Sequence, residues 1–271
     1  ILSFIIPFII LLTVVVFIHE YGHYYFAKRY GVGVTDFSIG FGKEIFGFND
    51  KSGTRWKFCL IPLGGYVKFF GDRNVFSQAE QEELLKKYSK EDQVKLFVTK
   101  PLYQRSLVVA AGPLANFVLA ILIFSFIYMF SGKDFTPAQI QEVQKDGPAY
   151  SSGIKTGDII LSIDNKKVNS ILEVSTYINT SSTENIDIKV LRNSNEIILK
   201  VTPKIVKGED SLGNKVNKKI IGIKISPPNN NFNRERLGPA TALFYAVKET
   251  WFVTMASLDF IVSMFKGKGD T

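Results

Sequence analysis

The 271 residues hold a single cysteine and only two histidines. With Cys59 alone no internal disulfide framework can form, and the redox compartment stays open. Two stretches lack charge altogether, Ile1–Ile18 and Ser106–Phe130. Eighteen helical residues rise roughly 27 Å, close to the thickness of a bilayer core. A cleaved signal peptide also begins this way. No small-residue cleavage site follows, however, and His19–Tyr30 continues in a helix-compatible pattern. Both uncharged stretches are therefore expected to span a membrane. Because the chain starts at Ile1, a few preceding residues are expected as well.

Charge of one sign is not concentrated anywhere. The formal net charge is +8, but the lysines are scattered rather than clustered with aromatics. That pattern argues against a nucleic-acid partner and for contact with anionic lipid surfaces. Lys28, Arg29, Lys95, Lys100 and Arg105 flank the first loop, with Lys266 and Lys268 on the same side. Lys133, Lys145, Lys224, Arg234 and Arg236 lie on the other. The balance favours a cytoplasmic first loop and an external domain after the second span.

What is present divides the chain into five parts: a first span over 1–30, a membrane-associated loop over 31–105, a second span over 106–130, a soluble domain over 131–228 and a third apolar segment over 237–265. The loop opens with Gly31, Gly33, Gly40 and Gly42, then alternates over Thr54–Phe70. Its β-rich runs around the Pro62–Gly65 turn signal predict a hairpin or small sheet. Glycine-rich apolar β segments can dip into a bilayer where protein covers their backbone groups. Ser77–Lys95 is charged and helix-prone, the pattern of a solvated surface helix. In the soluble domain short β-branched strands (IILSI, IDIKVL, EIILKV, KIIGIKI) alternate with turn signals at Asp164-Asn165 and Arg192–Asn195. One amphipathic helix fits Leu172–Asn179. The third segment, Leu237–Phe265, is apolar but carries Lys248, Glu249 and Asp259; it is expected as a third span.

Both histidines of the chain fall in one motif, His19-Glu20-Tyr21-Gly22-His23, at the end of the first apolar run. On a helix, residues i and i+4 share a face with side chains about 5–6 Å apart, a gap one zinc ion can bridge. A catalytic zinc site uses three protein ligands and an open position for water. Glu20 sits one residue along, beside such a metal, where it can take a proton from water and later protonate the leaving amine. Two plainer readings stand beside this one. The polar residues could snorkel to water next to Tyr24 and Tyr25, or an ordinary water-exposed zinc peptidase could be tethered by one helix. An unpaired ionisable residue at the end of an apolar span costs about 2.5–3.5 kcal/mol or more, which favours a use for it.

Several stretches in order carry a resemblance: FIHEYGHYYFAKRYGV, FSIGFGKEIFGFNDKSGTRWKFCLIPLGGYVKFFGD, KPLYQRSLVVAAGPLANFVLAI and GPAYSSGIKTGDIILSIDNKKV. Together they resemble the site-2 proteases, intramembrane zinc metalloproteases, and among them the bacterial branch that cleaves membrane-bound anti-sigma factors. The resemblance implies an α-helical polytopic membrane protein with a membrane-associated β-hairpin and one small β-rich PDZ-like domain. It implies that His19 and His23 hold Zn2+ and that Glu20 is the catalytic acid/base. It implies that the segment around Gly64, Gly65, Tyr66 and Val67 holds an extended substrate strand. An unwound helix keeps its backbone satisfied by such pairing.

Gly112, Pro113 and Asn116 resemble the family's second-span motif, with Asn116 a candidate to bond the substrate backbone. A tightly packed helix crossing with a satisfied Asn is the plain alternative. Gly222, in Ile220–Ile223, resembles the loop of a PDZ peptide groove, which either takes a peptide C-terminus or acts as a steric filter. The implied enzyme sits in a bacterial inner membrane with its PDZ-like domain in the periplasm. It cleaves single-span proteins already cut by another protease. A membrane-anchored peptide-binding scaffold with a vestigial zinc site is the alternative. One departure stands out: the family's third ligand is an aspartate in an L-D-G motif on a later span, and no such motif is present. A further segment beyond Thr271 is expected to hold it; Asp259 is a candidate substitute, against interfacial placement or pairing with a lysine.

Overall fold

A computed structural model describes residues 2–71, 85–181, 183–209, 215–228 and 231–265. The chain divides into two compact units, Ile1–Leu122 and Ile123–Thr271.

In the first unit, helix α1 (Leu2–Arg29) is built from the uncharged run and stops where the sequence supplies stop signals. Lys28 and Arg29 occupy its last turn, where cations suit the carbonyl end of the helix. Gly31 then takes φ 67°, and its N–H bonds to the Lys28 carbonyl while the Val32 N–H bonds to Ala27. This pair of bonds closes the free carbonyls of the last turn.

Strands β1 (Val34–Asn49) and β2 (Arg55–Phe69) follow. Each is sharply bent, so residues 36–39 meet both 55–58 and 65–68 of the partner strand. The bend in β1 falls at Gly40, where φ is 88° and an added Cβ would come 2.8 Å from the Ile61 carbonyl oxygen, so a side chain is excluded. The turn between the strands lies at Asp50–Gly53, not at Pro62–Gly65, which runs within β2. The reason is the Asp50 carboxylate. Its Oδ1 accepts from the Ser52 amide and hydroxyl and from the Thr54 amide, at 2.7–2.9 Å, and closes the turn locally. Phe46, Phe48, Leu60 and Leu63 are exposed along the sheet. The expected surface helix over Ser77–Lys95 falls partly outside the described residues; Lys90–Gln93 forms one short helix.

Helix α2 (Leu102–Phe130) runs unbroken through Pro113. It and Ser3–Arg29 are the two helices, among the described residues, long and apolar enough to cross a membrane.

The second unit is built on a six-stranded sheet. Its order is β11 (Ile223–Ser226), β4 (Ala138–Val143), β5 (Ile159–Ile163), β7 (Ile186–Arg192) and β8 (Asn195–Val201), with β6 (Lys166–Lys167) also on β5. Alternation puts Ile186, Ile188 and Val190 of β7 wholly inside, with Ile140, Ile160 and Ile163 from the neighbouring strands. Helix α3 (Ile171–Thr180) covers this core with Val174 and Ile178. The turn signals at Asp164-Asn165 and within Arg192–Asn195 become two-residue hairpin turns: Asp164, Asn165, Asn193 and Ser194 all take positive φ. The KIIGIKI run is split by Gly222, ending β10 (Lys215–Ile220) before β11 begins. A bidentate ion pair closes one edge: Arg192 donates Nε–H and Nη2–H to the two oxygens of Asp158, each at 2.7 Å.

The segment expected as a third span forms helix α4 (Pro239–Phe265), 27 residues long. Its charges are partnered: Glu249 pairs with Lys133 at 2.8 Å and Asp259 with Lys166 at 3.4 Å. Phe252 stacks edge-on to Tyr177. The lysine-paired reading of Asp259 is thus the one observed.

Candidate metal centre

Helix α1 crosses α2 closely because both carry small residues at the crossing. A Cβ on Gly22 would lie 2.9 Å from the Ala115 Cβ and would strike the Ala111 carbonyl. This crossing brings the motif of α1 against residues 108–116 of α2.

The two imidazoles converge there. His19 Nε2 and His23 Nε2 stand 3.2 Å apart. His23 Nδ1 lies 2.7 Å from the Val108 carbonyl, which can only accept, so Nδ1 carries the proton and Nε2 presents its lone pair. His19 Nδ1 lies 3.3 Å from Asn116 Nδ2, and Asn116 Oδ1 is buried with no partner. Between these anchors sits Gly112. A Cβ on it would lie 2.7 Å from His19 Nε2 and closer still to His23 Nε2, so only glycine leaves open the space both nitrogens face.

These residues fit a zinc ion. Two nitrogens ligating one tetrahedral zinc at roughly 2.0–2.1 Å are about 3.3 Å apart, against the 3.2 Å found. An outer hydrogen bond from Nδ1 to a carbonyl is the usual support of a ligating imidazole. Among the described residues no third His, Cys, Asp or Glu joins them in a metal-sized group.

Glu20 lies beside the pair and faces the sheet. The Val67 backbone amide faces its carboxylate. A Cβ on Gly65 would come 3.1 Å from Glu20 Cγ and 2.9 Å from Val16 Cγ1, so β2 can approach the motif only through a glycine. Gly65 and Val67 are therefore brought to the same place as His19, Glu20, His23 and Asn116. Gly64 packs on the Phe41 ring, and Tyr66 stacks with Phe41 at 6.3 Å.

Sequence reasoning missed what fixes the sheet to α1. Tyr24, one residue past His23, donates its hydroxyl to Asp50 Oδ2 at 2.7 Å, and Trp56 Nε1 donates to the same oxygen at 3.2 Å. Phe37 stacks on Trp56 at 4.2 Å, with Tyr24 edge-on to both. Burial alone would raise the Asp50 carboxyl; the donors on Ser52, Tyr24, Thr54 and Trp56 instead hold it far below the ordinary carboxylate value. The run Asn49-Asp50-Lys51-Ser52-Gly53 was the available signal, being rich in turn formers. The Val108 carbonyl, a backbone group, left none.

Gly222 belongs to the second unit. With Val174, Ile178, Ile221, Ile223 and Ile225 it lines a largely apolar groove of about 470 Å³ between α3 and β11. Its φ is 76°, and a Cβ added there would come within 3.1 Å of the Gly147 Cα, so the loop at the groove's end takes glycine.

The description "Peptidase family M50" matches residues 7–271. The chain belongs to peptidase family M50. A provisionally named zinc metalloprotease of Mesorhizobium japonicum is 39% identical over 272 residues, covering 99% of this chain and 73% of its own length. A similarly named Rhizobium meliloti protein is 37% identical over 98% of this chain and 71% of its own. Metalloprotease MmpA of Caulobacter vibrioides is 35% identical over 92% of this chain and 64% of its own. As a member of M50 the chain is a metalloprotease of the site-2 protease type. Among solved structures, the PDZ domain of an SdrC-like protein from Listeria monocytogenes covers 34% of this chain and 88% of its own, at 21% identity and a TM-score of 0.27. Its counterpart from Listeria innocua covers 35% and 99%, at 23% identity and the same TM-score.

Proposed function

We propose that this M50 member is an intramembrane zinc endopeptidase of a bacterial inner membrane. Its substrates would be single-span proteins, of the anti-sigma-factor kind, already trimmed by another protease. The observation that carries the reading is the convergence of His19 Nε2 and His23 Nε2 at 3.2 Å, beside Glu20, at the end of an uncharged helix. His19 and His23 would hold the ion. Zinc, when bound, would supply Lewis acidity, polarising a scissile carbonyl and acidifying the attacking water.

The protein's own groups do the rest. Glu20 removes a proton from the attacking water and returns it to the amide nitrogen that leaves. Residues 65–69 of β2, tied to Glu20 through the Val67 amide, offer a strand against which an unwound substrate can pair. The α1–α2 crossing and the apolar sheet restrict water around the reacting bond. The β domain, read as PDZ-type and periplasmic, presents the groove at Gly222 to a peptide end or filters by size. The segment over 237–265 is read as a third membrane segment.

The test uses the full-length protein with a tagged single-span substrate in membranes. Glu20→Gln should abolish cleavage while leaving stoichiometric zinc. Cleavage at the wild-type rate would sink the assignment. The rival reading, a peptide-binding scaffold with a vestigial site, predicts purified wild-type protein without stoichiometric zinc.

A further inference from the structure

The residues of α2 that meet the two histidines lie at four-residue intervals: Val108, Gly112 and Asn116. The middle position leaves the Nε2 atoms room. The position one turn earlier holds the outward nitrogen of His23 through a backbone carbonyl. The position one turn later places a side-chain amide 3.3 Å from the outward nitrogen of His19. The two imidazoles are thus handled alike, each gripped at Nδ1 from the second helix, but by groups of different chemistry.

The difference matters. A carbonyl has one role, whereas an amide can meet His19 Nδ1 with either end after a half-turn of its terminal torsion. If Nδ2–H donates to Nδ1, His19 carries its proton on Nε2 and donates it to His23 Nε2; the pair then satisfies itself and offers no second lone pair. If Oδ1 accepts from Nδ1–H, both Nε2 atoms present lone pairs. With Nδ2 toward the imidazole, the amide oxygen at the far end is buried and meets no partner, so that orientation leaves an acceptor unused. Only the second arrangement makes two metal ligands.

We infer that Asn116 is the positioning residue of His19: its amide oxygen fixes the tautomer and ring angle in which Nε2 can bind a metal. This rests on the reading of His19 and His23 as zinc ligands. It differs from the substrate-backbone role that the resemblance implied for Asn116: one end of the amide is engaged with the imidazole.

The experiment measures zinc affinity of the purified full-length protein in detergent by competition with a chromophoric chelator, and cleavage kinetics in parallel. Asn116→Leu keeps the volume and loses the acceptor; its zinc dissociation constant should rise 10–100-fold, with kcat falling and KM unchanged. Asn116→Asp keeps an acceptor and should restore zinc affinity to within a few-fold of wild type. A Leu variant with wild-type zinc affinity and raised KM would overturn the inference in favour of substrate binding. Equal zinc loss in both variants, with matching falls in metal-free melting temperature, would overturn it in favour of packing. Wild-type protein that binds no zinc would overturn the metal reading itself, and the role of Asn116 with it.

Discussion

Replacing Gly112 by alanine adds one methyl at the point where the molecule has least room for it. The new Cβ would lie 2.7 Å from His19 Nε2 and nearer to His23 Nε2, where an ordinary contact is about 3.5 Å. His19 must therefore retreat by at least ~0.8 Å, and His23 by more. Side-chain ends often yield cheaply, but these are pinned. His23 is held at Nδ1 by the Val108 carbonyl and His19 is met by Asn116. The helices cannot separate instead without opening the Gly22–Ala115 contact. Overpacking of this kind costs about 1–3 kcal/mol of stability. Displacing liganding atoms by an ångström costs on the order of 100-fold in rate. In full-length Gly112→Ala, zinc content by elemental analysis should fall well below stoichiometric and cleavage by about two orders of magnitude. Val109→Ala, on the exposed side of the same helix, should change neither. Stoichiometric zinc and near-wild-type cleavage in Gly112→Ala would refute the geometry argued for the crossing.

Two other perturbations follow from named contacts. Asp50→Asn removes the charge that four neighbours share, at a cost of about 1.5–3 kcal/mol. Because the folded carboxyl is depressed, its contribution is complete above the unfolded value of about 3.9 and is lost as pH falls below it. The stability gap between wild type and Asp50→Asn should therefore be constant from neutral pH to about 4 and shrink below, as followed by thermal unfolding; a gap that grows on acidification contradicts this. Arg192→Ala leaves Asp158, only 1% exposed, without its guanidinium, and should destabilise the β domain by about 3–5 kcal/mol. Arg192→Lys should recover only part of that, since a single ammonium cannot match both oxygens; full recovery would show that charge alone matters.

The reading of residues succeeded where one local rule decides the outcome. The i, i+4 histidines had to share a helix face, the alternation in IDIKVL had to bury Ile186, Ile188 and Val190, and the Asn- and Asp-containing dipeptides had to turn. It misplaced the hairpin turn because Pro62–Gly65 looks like a turn in isolation. A stronger competitor, the Asp50 carboxylate with its own backbone donors, lay twelve residues before Pro62. Tyr24 looked like a member of an aromatic belt, and its bond to Asp50 depends on a sheet folding back over α1. Helix α4 drew attention for its apolar length. The use of Glu249 and Asp259 was invisible because Lys133 and Lys166 are remote in sequence.

The grip of α2 on the outward nitrogens has a thermodynamic corollary. His19 and His23 belong to one helix, but the orientation in which they would hold a metal is borrowed from another, so α1 by itself would be a poor chelator. Metal affinity and helix association are then linked functions, and each must raise the other. With free zinc at 100 times its dissociation constant, about 2.7 kcal/mol would hold the crossing together. The converse is a safeguard: a chain whose second helix has not yet docked keeps its acid/base residue but lacks an assembled metal site, and stays inert in the membrane until the pair has closed.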